Sequence, residues 1–583
     1  MDPSPRHLMH AADYLIVAAY LIVVLALGRR TTGAGRSEDA FFLANRRLGR
    51  LRQFFLNFGH STDANTAIST VSFTYEEGAS GAWLSLQMIF LNPYYWFMSV
   101  WFRRARLTTT AELFEERLES RHLALVYAAF QICVAIVNIA FSNFVAFKVT
   151  AALVAPGQSI PPFLFYTGFV AVVGLYVIMG GLEATVLNQM FQGALVLIFS
   201  VILLPFGFRA LGAGGLHARL PAKMFEVFAG GTAGQFTFWA VIAILLVSII
   251  QINANIINMG LAGSARDEGA ARFGAVSGTY GKRVMIVLWV FVGLIAAGLR
   301  SGPHRLSDPD MAWGELSRML LGPGFLGLML IGLLAANMAS VATKTMAVSA
   351  LFVRNLYRPL RGQPMAGNDV RVARLAGAGA LAASVLAALA MRETMAVTKL
   401  ILTINLPFGA ALLMMFFWRR LTRTAVWWCV VLTGGLILME LLGARTTHHS
   451  DFSAGGWLLD YGWPVPGGHG GGEKLAAQFF FDGLFPFVVL YFVSVFTPPP
   501  SAAAVDSFFG KMKTPVGKTT DLDAAALEAT RRDPHRFDST KLFPRTDWEF
   551  TRWTREDAVG FVICCALSSA IVILFWAGLR LVA

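Results

Sequence analysis

Residues 57–66 read NFGHSTDANT and place a run of polar side chains inside 51–73, a stretch otherwise apolar enough for a membrane helix. A second stretch, 251–260, reads QINANIINMG and interrupts another apolar run. Backbone polar groups in lipid must be satisfied within the protein, so broken helices are tolerated only where protein or water covers them. We therefore expect both interruptions to lie around an internal, polar cavity.

The composition predicts an all-α polytopic membrane protein. Of 583 residues, 56 % are apolar and 14 % are charged, whereas roughly 25 % of residues are charged in soluble domains. Apolar stretches of about 20 residues, enough to cross a bilayer as a helix, recur along the chain. We expect about 14 transmembrane helices, at 11–28, 51–73, 82–102, 123–154, 161–180, 184–208, 236–260, 282–301, 322–353, 371–391, 395–418, 424–444, 476–496 and 557–581.

Arginine and lysine cluster in the odd-numbered connections between these spans, including Lys282 and Arg283 after the seventh. The even-numbered connections are poorer in basic residues. The positive-inside rule then predicts both termini outside, in a plasma (inner) membrane of bacterial type. These loops account for the net charge of +13, so we expect no nucleic-acid partner.

The two interruptions each open a block of five spans, which predicts an inverted five-plus-five repeat with broken helices at mid-membrane. The alternative is that their asparagine and serine side chains only hydrogen-bond across packed helices. The expected organisation is an extra N-terminal helix (11–28), a first five-helix repeat (51–208), a second, inverted repeat (236–418), two further helices (424–496) with an external Gly-rich loop (445–475), a cytoplasmic segment (497–556) and a last helix (557–581).

Several motifs occur in one order: FFLANRRLG (41–49), LTTTAELFEERL (107–118), MGGLEATVLNQMFQG (179–193), GPGFLGLMLIGLLAANMAS (322–340) and FFWRR (416–420). Together they resemble the sodium:solute symporter family. The resemblance implies a leucine-transporter-type fold with one added N-terminal helix. It also implies cation-coupled, in the first place sodium-coupled, symport of a small polar organic solute by alternating access, with no cofactor besides the ion.

The same resemblance implies a sodium site between the first broken helix and the ninth span. A hard cation stripped of water needs a shell of oxygens, and a helix break frees backbone carbonyls. The matching positions are Gly59, Thr62, Ala336, Ala339 and Ser340.

The chain departs from the family pattern near this site. Ala339 followed by Ser340 supplies one hydroxyl where sodium-coupled members usually carry two, and Gln189 replaces an acidic residue. Two charged residues, Asp63 and Lys344, are present instead. Ionisable groups within a membrane are costly and usually paired, so we expect Asp63 and Lys344 to form a coupling pair. A purely structural clamp is the alternative.

Three coupling schemes remain open. Sodium binds and Asp63 supplies the missing oxygen; or Lys344 replaces sodium, which leaves a facilitator or exchanger; or protonation of Asp63 or His60 couples transport to protons.

The expected solute contacts are amide and hydroxyl groups near the two interruptions and on the third core span. Such groups in an apolar shell suit a small polar organic molecule, whose identity the sequence leaves open. They are Ser61, Gln87, Asn138, Asn143, Asn253 and Asn255.

Two other function classes compete with transport. An intramembrane enzyme would need a nucleophile–base set or a metal cluster. His60 and Asp63 span one helical turn, and no second histidine or cysteine joins them from an obvious motif. A transporter-derived solute sensor would normally carry a signalling domain, and 497–556 is too short for a kinase. We therefore expect a carrier, not an enzyme, with the solute, sodium or protons and the lipid bilayer as partners.

Overall fold

The computed structural model is helical, and its described residues contain only three isolated β-bridges and no strand. This confirms the all-α fold class. Much of the predicted external loop 445–475 lies outside the described residues. The described ranges are 9–31, 37–153, 160–212, 215–228, 236–361, 369–391, 400–401, 403–447, 453–462 and 471–582.

The main helices are numbered here in chain order, and shorter helices are cited by residue range. They are α1 (Ala11–Arg30), α2 (Arg50–Ser61), α3 (Ala64–Glu77), α4 (Asn92–Ala105), α5 (Arg121–Leu153), α6 (Pro162–Val201), α7 (Leu203–Leu211), α8 (Phe238–Gln251), α9 (Ile257–Gly263), α10 (Glu268–Leu299), α11 (Phe325–Leu351), α12 (Asp369–Ala390), α13 (Leu406–Phe417), α14 (Arg423–Thr447), α15 (Gly471–Phe496), α16 (Ala502–Lys513), α17 (Thr520–Arg532) and α18 (Arg555–Val582).

Within the described residues, nine helices are long and apolar enough to cross a membrane, or ten when a pair bent by 68°, Phe238–Ala254 with Ile257–Gly263, counts as one span. The molecule is thus a multi-pass membrane protein, but the predicted number of about 14 spans is not confirmed. The predicted span 51–73 is divided into α2 and α3. The predicted span 82–102 consists of short helical pieces up to Leu91, followed by most of α4. Among the described residues of the predicted span 395–418, the main helix is Leu406–Phe417.

The predicted spans 161–180 and 184–208 meet at Gly181 within one helical run. Gly181 has φ +64° and ψ −147°, which is non-helical. A straight helix of 40 residues would be about 60 Å long, twice the hydrocarbon thickness of roughly 30 Å. A Cβ atom at Gly181 would also lie 2.8 Å from the carbonyl oxygen of Phe41, so the bend requires glycine.

The two polar interruptions are helix breaks, as predicted. α2 ends at Ser61, Thr62 is non-helical, and the Asp63 carboxylate caps α3 by accepting from the Thr66 amide at 3.0 Å. In the second break, Asn255 has an extended backbone with ψ 124° between α8 and α9.

The eighth span begins at Glu268, because the Asp267 carboxylate accepts from the Ala270 amide and starts α10 there. The sequence counted Lys282 and Arg283 with the basic connection, at the very start of the predicted span 282–301; this is wrong, because both lie well inside α10.

Glycines let α10 and α2 approach backbone to backbone beside the first break. A Cβ at Gly274 would lie 2.5 Å from Cβ of Gln53, and one at Gly278 would lie 2.7 Å from the Phe58 amide nitrogen. This contact fixes the depth in the membrane at which Lys282 and Arg283 lie relative to the first break.

The basic connections gather at one end of the helix bundle. Arg104, in the last turn of α4, pairs with Glu268 at 2.8 Å, and Arg354, after α11, pairs with Glu112 at 3.3 Å. These connections therefore share one side of the membrane; which side faces the cytoplasm stays a prediction.

Residues 497–556 dock on the same end. The helix predicted around 521–532 is confirmed as α17. Asp523 at its start accepts two hydrogen bonds from Arg106, at 2.7 and 2.9 Å. Arg106 follows α4, so the segment is fixed directly to a basic connection.

Glu549 forms ion pairs with three cations that hold this segment in place. Its carboxylate is buried and meets Arg419, Lys513 and Lys541 at 2.6–2.8 Å. Burial alone would raise the pKa of Glu549, but its hydrogen bonds to these three cations outweigh burial and hold the pKa below its ordinary value of 4.5. Because the folded-state pKa is depressed, the stabilisation is present at neutral pH and is lost as pH falls below 4.5 through the folded value.

We predict that Gly181→Ala destabilises the purified protein by about 1–3 kcal/mol, since alanine tolerates neither the positive φ nor the contact with Phe41. Thermal unfolding in detergent measures this. Gly168→Ala is the control, because a Cβ there meets nothing within 4 Å. Equal melting temperatures for the two variants would contradict the prediction.

We predict that Glu549→Gln loosens the docked segment by about 2–3 kcal/mol at pH 7, because Arg419, Lys513 and Lys541 then keep only the more exposed carboxylates of Asp506 and Asp538. Hydrogen exchange of α16 and α17 amides reports the loss of protection. Glu528→Gln, which removes only exposed ion pairs, is expected to change nothing. Wild-type protection is expected to fall in acid below pH 4.5, and protection unchanged down to pH 3 would be evidence against this role.

Candidate functional site

The two helix breaks border one cavity of about 320 Å³. The first break contributes Ser61 and Asp63, and the second contributes Gln251 and Asn255; α5, α10 and α11 complete the wall. This volume is at the small end of the range for ligand sites, roughly 300–1,000 Å³. The expected internal cavity between the interruptions is therefore present, and its size suits a small molecule.

A threonine links the acidic and a basic group of the cavity. The Thr66 amide and hydroxyl donate to Asp63 Oδ1 at 3.0 and 2.5 Å, and Lys282 Nζ donates to the Thr66 hydroxyl at 3.1 Å. Lys282 is thus joined to Asp63 through one bridging hydroxyl. The sequence did not single out Lys282, because it was assigned to a loop.

Asp63 and Lys344 both line the cavity but do not form the expected direct pair. Within the described chain no ion pair of 4.0 Å or less joins them, whereas Lys282 reaches Asp63 through the Thr66 hydroxyl. The reason is local: Asp63 caps α3, and Thr66 in the first turn of α3 turns the carboxylate toward α10. Their role in coupling stays a prediction.

Arg283 is a second cavity residue that the sequence did not single out. Its side chain is buried, with the residue 2 % exposed, and its Nε and Nη1 have no hydrogen-bond partner among the described groups. The cap at Asp267 and the glycines at 274 and 278 are the signals that would have placed Lys282 and Arg283 inside a helix.

Three members of the predicted cation site offer free oxygens. The hydroxyls of Thr62 and Ser340 are buried without a hydrogen-bond partner. No described group donates to the Gly59 carbonyl, whereas the Phe58 carbonyl accepts from the Thr62 amide. Unsatisfied buried oxygens of this kind are costly unless a cation or water meets them.

The other half of the predicted site is occupied by an amide. Gln189 Nε2 donates to the Ala339 carbonyl and to the Thr343 hydroxyl, both at 2.9 Å. A Cβ at Gly59 would lie 3.0 Å from Gln189 Cγ, so this side chain spans the gap between the break and α11. Ala336 is buried one turn earlier on α11. Sodium ligation by Ala336 and Ala339 stays a prediction.

A second set of unpartnered oxygens lies around Ser142 on α5. Asn65 donates to its hydroxyl at 2.9 Å and Asn337 donates to its carbonyl at 3.0 Å. The side-chain oxygens of Asn65 and Asn337 have no partner of their own among the described groups. These contacts tie α3, α5 and α11 together beside the first break.

Of the predicted solute contacts, Ser61, Asn138 and Asn255 line the cavity. Further neutral polar groups that were not among the predicted solute contacts also line the cavity. They include Gln131, Gln251, Asn258, Thr279 and Asn405.

The remaining three predicted contacts lie outside the cavity lining. Gln87 donates to the Ser248 hydroxyl at 3.2 Å, and Asn253 accepts from the Tyr94 hydroxyl at 2.5 Å, so both connect helices. Asn143 is fully buried beside Ser142, and neither of its side-chain polar atoms has a described partner. Binding by any of the six predicted residues stays a prediction.

Comparisons with known proteins bear on this site. The model of the sodium:solute symporter family matches residues 41–433. The sodium/myo-inositol cotransporter 2 of Oryctolagus cuniculus is 23 % identical over 410 residues, which are 62 % of this chain and 58 % of that protein. The chain thus matches little more than half the length of this relative. The sodium/pantothenate symporter of Escherichia coli (strain K12) is 26 % identical over 420 residues, 67 % of this chain and 81 % of the symporter.

One solved structure has a similar fold. It is a substrate-bound, outward-open state of a Na⁺-coupled sialic acid symporter, with a TM-score of 0.67 at 15 % identity over 84 % of this chain and 99 % of that one. At this identity the likeness concerns the fold alone.

We predict that Thr66→Val destabilises the protein by about 1–3 kcal/mol, because it leaves Asp63 and Lys282 without their bridging hydroxyl. Thermal unfolding of purified protein measures the change. Thr150→Val is the matched control, since that buried hydroxyl is bonded only to the Ala146 carbonyl of its own helix. If the control loses as much stability as Thr66→Val, the bridge contributes no more to stability than an ordinary hydroxyl bonded within its own helix.

Proposed function

The chain belongs to the sodium:solute symporter family, and we propose from this premise that it is a secondary active transporter for sodium and a small polar organic solute. The observation that carries the proposal is the cavity between two broken helices, flanked by unpartnered oxygens of Thr62 and Ser340. The named relatives are cotransporters and symporters, which supports transport rather than catalysis.

In this proposal sodium lies beside the first break. The hydroxyls of Thr62 and Ser340 and the carbonyl of Gly59 supply oxygens from α11 and the end of α2, so the ion joins the two elements. The solute occupies the adjoining cavity and contacts Ser61, Asn138 and Asn255. Sodium then strengthens solute binding by holding the broken helix in its binding-competent form, and linkage requires the reverse effect as well.

Contacts at the end opposite the basic connections support an alternating-access cycle. Lys148 on α5 pairs with Asp308 and Asp310 at 3.1 and 2.9 Å, and Ser72 on α3 donates to Asp310 at 2.9 Å. Opening this end requires these contacts between α3, α5 and the 301–311 connection to separate. We assign this end to the outside and the basic end to the cytoplasm of the plasma (inner) membrane, with both termini outside.

A sodium-independent or proton-coupled carrier is the second candidate. The observation that favours it is the Gln189 amide, which donates to the Ala339 carbonyl where a cation ligand was expected. In that scheme the Lys344 ammonium takes the place of the ion, or Asp63 carries a proton.

We predict that the purified protein binds ²²Na⁺ and that Ser340→Ala weakens this binding about tenfold or more, the effect of losing one ligand to a charged group. Scintillation proximity measures binding without knowledge of the solute. Ser384→Ala, which removes a buried hydroxyl bonded only to the Leu381 carbonyl, is expected to bind sodium normally.

Absence of ²²Na⁺ binding to the wild type would overturn the sodium scheme. Sodium binding that appears only in Lys344→Met would then favour the carrier in which the ammonium replaces the ion.

A further inference from the structure

We infer that the transported solute is a small organic anion whose carboxylate is attracted by the two unpaired cations of the cavity wall, Arg283 and Lys344. This inference rests on the proposed transport function and names the class of solute that the same cavity takes. It comes from the charges that line the cavity.

Four described residues of the cavity wall carry a formal charge: Asp63, Lys282, Arg283 and Lys344. The single carboxylate is already linked to Lys282 through the Thr66 hydroxyl. Arg283 and Lys344 are therefore two cations for which the cavity wall supplies no second carboxylate.

Neither of these two cations has a hydrogen-bonding or ion-pair partner among the described residues. Two guanidinium nitrogens of Arg283 are buried and unpartnered, and the Lys344 ammonium is in no ion pair within 4.0 Å. An unpaired charge at membrane depth is costly and marks a functional site. An anion in the cavity would offset this excess of positive charge.

The donor types favour a carboxylate. A guanidinium presents several N–H groups in a fixed plane and binds carboxylates with well-defined geometry, while an ammonium acts as a compact point charge. Arg283 comes from α10 and Lys344 from α11, so the two cations reach the cavity from different helices.

The rest of the cavity limits the size and polarity of this anion. The volume of about 320 Å³ admits only a small molecule. Ser61, Asn138 and Asn255 add hydroxyl and amide groups suited to neutral polar substituents of the solute. The expected ligand is a small carboxylate that carries hydroxyl, amide or similar groups.

The test compares each carboxylate with its own neutral amide. Purified full-length protein in sodium chloride is titrated with lactate and lactamide, succinate and succinamide, and benzoate and benzamide at constant ionic strength, and thermal stabilisation is recorded. At least one carboxylate is expected to stabilise the protein at a concentration about tenfold or more below that of its amide. Equal effects within every pair, no effect of any carboxylate, or a preference for amides overturns the inference.

Variants then test which residues cause the preference for a carboxylate over its amide. Arg283→Gln and Lys344→Gln are each expected to reduce the carboxylate-over-amide ratio about tenfold, whereas Arg283→Lys keeps part of it. Arg318→Gln is the matched control: Arg318 is also buried with two unpartnered nitrogens but lies outside the cavity lining. If Arg283→Gln does not fold, Lys344→Gln and the wild-type titration still test whether the solute is an anion.

Failure of this inference and failure of the proposed function give different results. Sodium binding together with a preference for amides would keep the symporter and reject the anion. A carboxylate preference without ²²Na⁺ binding would keep the anion and reject sodium coupling.

Discussion

The close approach of α10 to α2 is the contact on which the site depends. Gly274 and Gly278 leave no room for side chains between the two backbones, so the first break lies against the middle of α10 rather than against lipid. Since unsatisfied backbone groups are not tolerated in hydrocarbon, this packing is what permits α2 to stop at Ser61 and α3 to start after Asp63. It also brings Lys282 and Arg283 to the cavity.

The charge balance of the cavity follows from that packing. Lys282 is linked to Asp63 through Thr66, whereas Arg283 and Lys344 have no hydrogen-bond or ion-pair partner among the described residues. If both the proposed function and the inferred anion hold, sodium meets oxygens beside the first break and the solute carboxylate meets the cations of the cavity wall. Entry of one sodium ion with one monoanion would then move no net charge across the membrane, so the membrane potential would contribute little to accumulation.

The sequence was sufficient for the helical class and both helix breaks, because polar runs inside apolar spans have few physical explanations in lipid. It failed at Lys282 and Arg283, since two adjacent basic residues before an apolar run normally mark a loop, and only close packing shows otherwise. Asp63 and Lys344 both line the cavity but form no direct ion pair among the described residues, because helix capping turns Asp63 toward α10; their role as a coupling pair stays a prediction. The predicted number of about 14 spans is not confirmed, because some predicted spans are divided into shorter helical pieces in the structure.

The docked segment 497–556 joins the ends of several helices at the basic end of the bundle, through Arg106 after α4 and Arg419 after α13. Because Glu549 is buried among its three cations, mobile ions screen these contacts weakly. Helices tied in this way resist being drawn apart at that end. Relative motion is then expected chiefly in elements that the docked segment does not hold, such as α3 and α9. The helix ends that the segment joins would keep their relative positions.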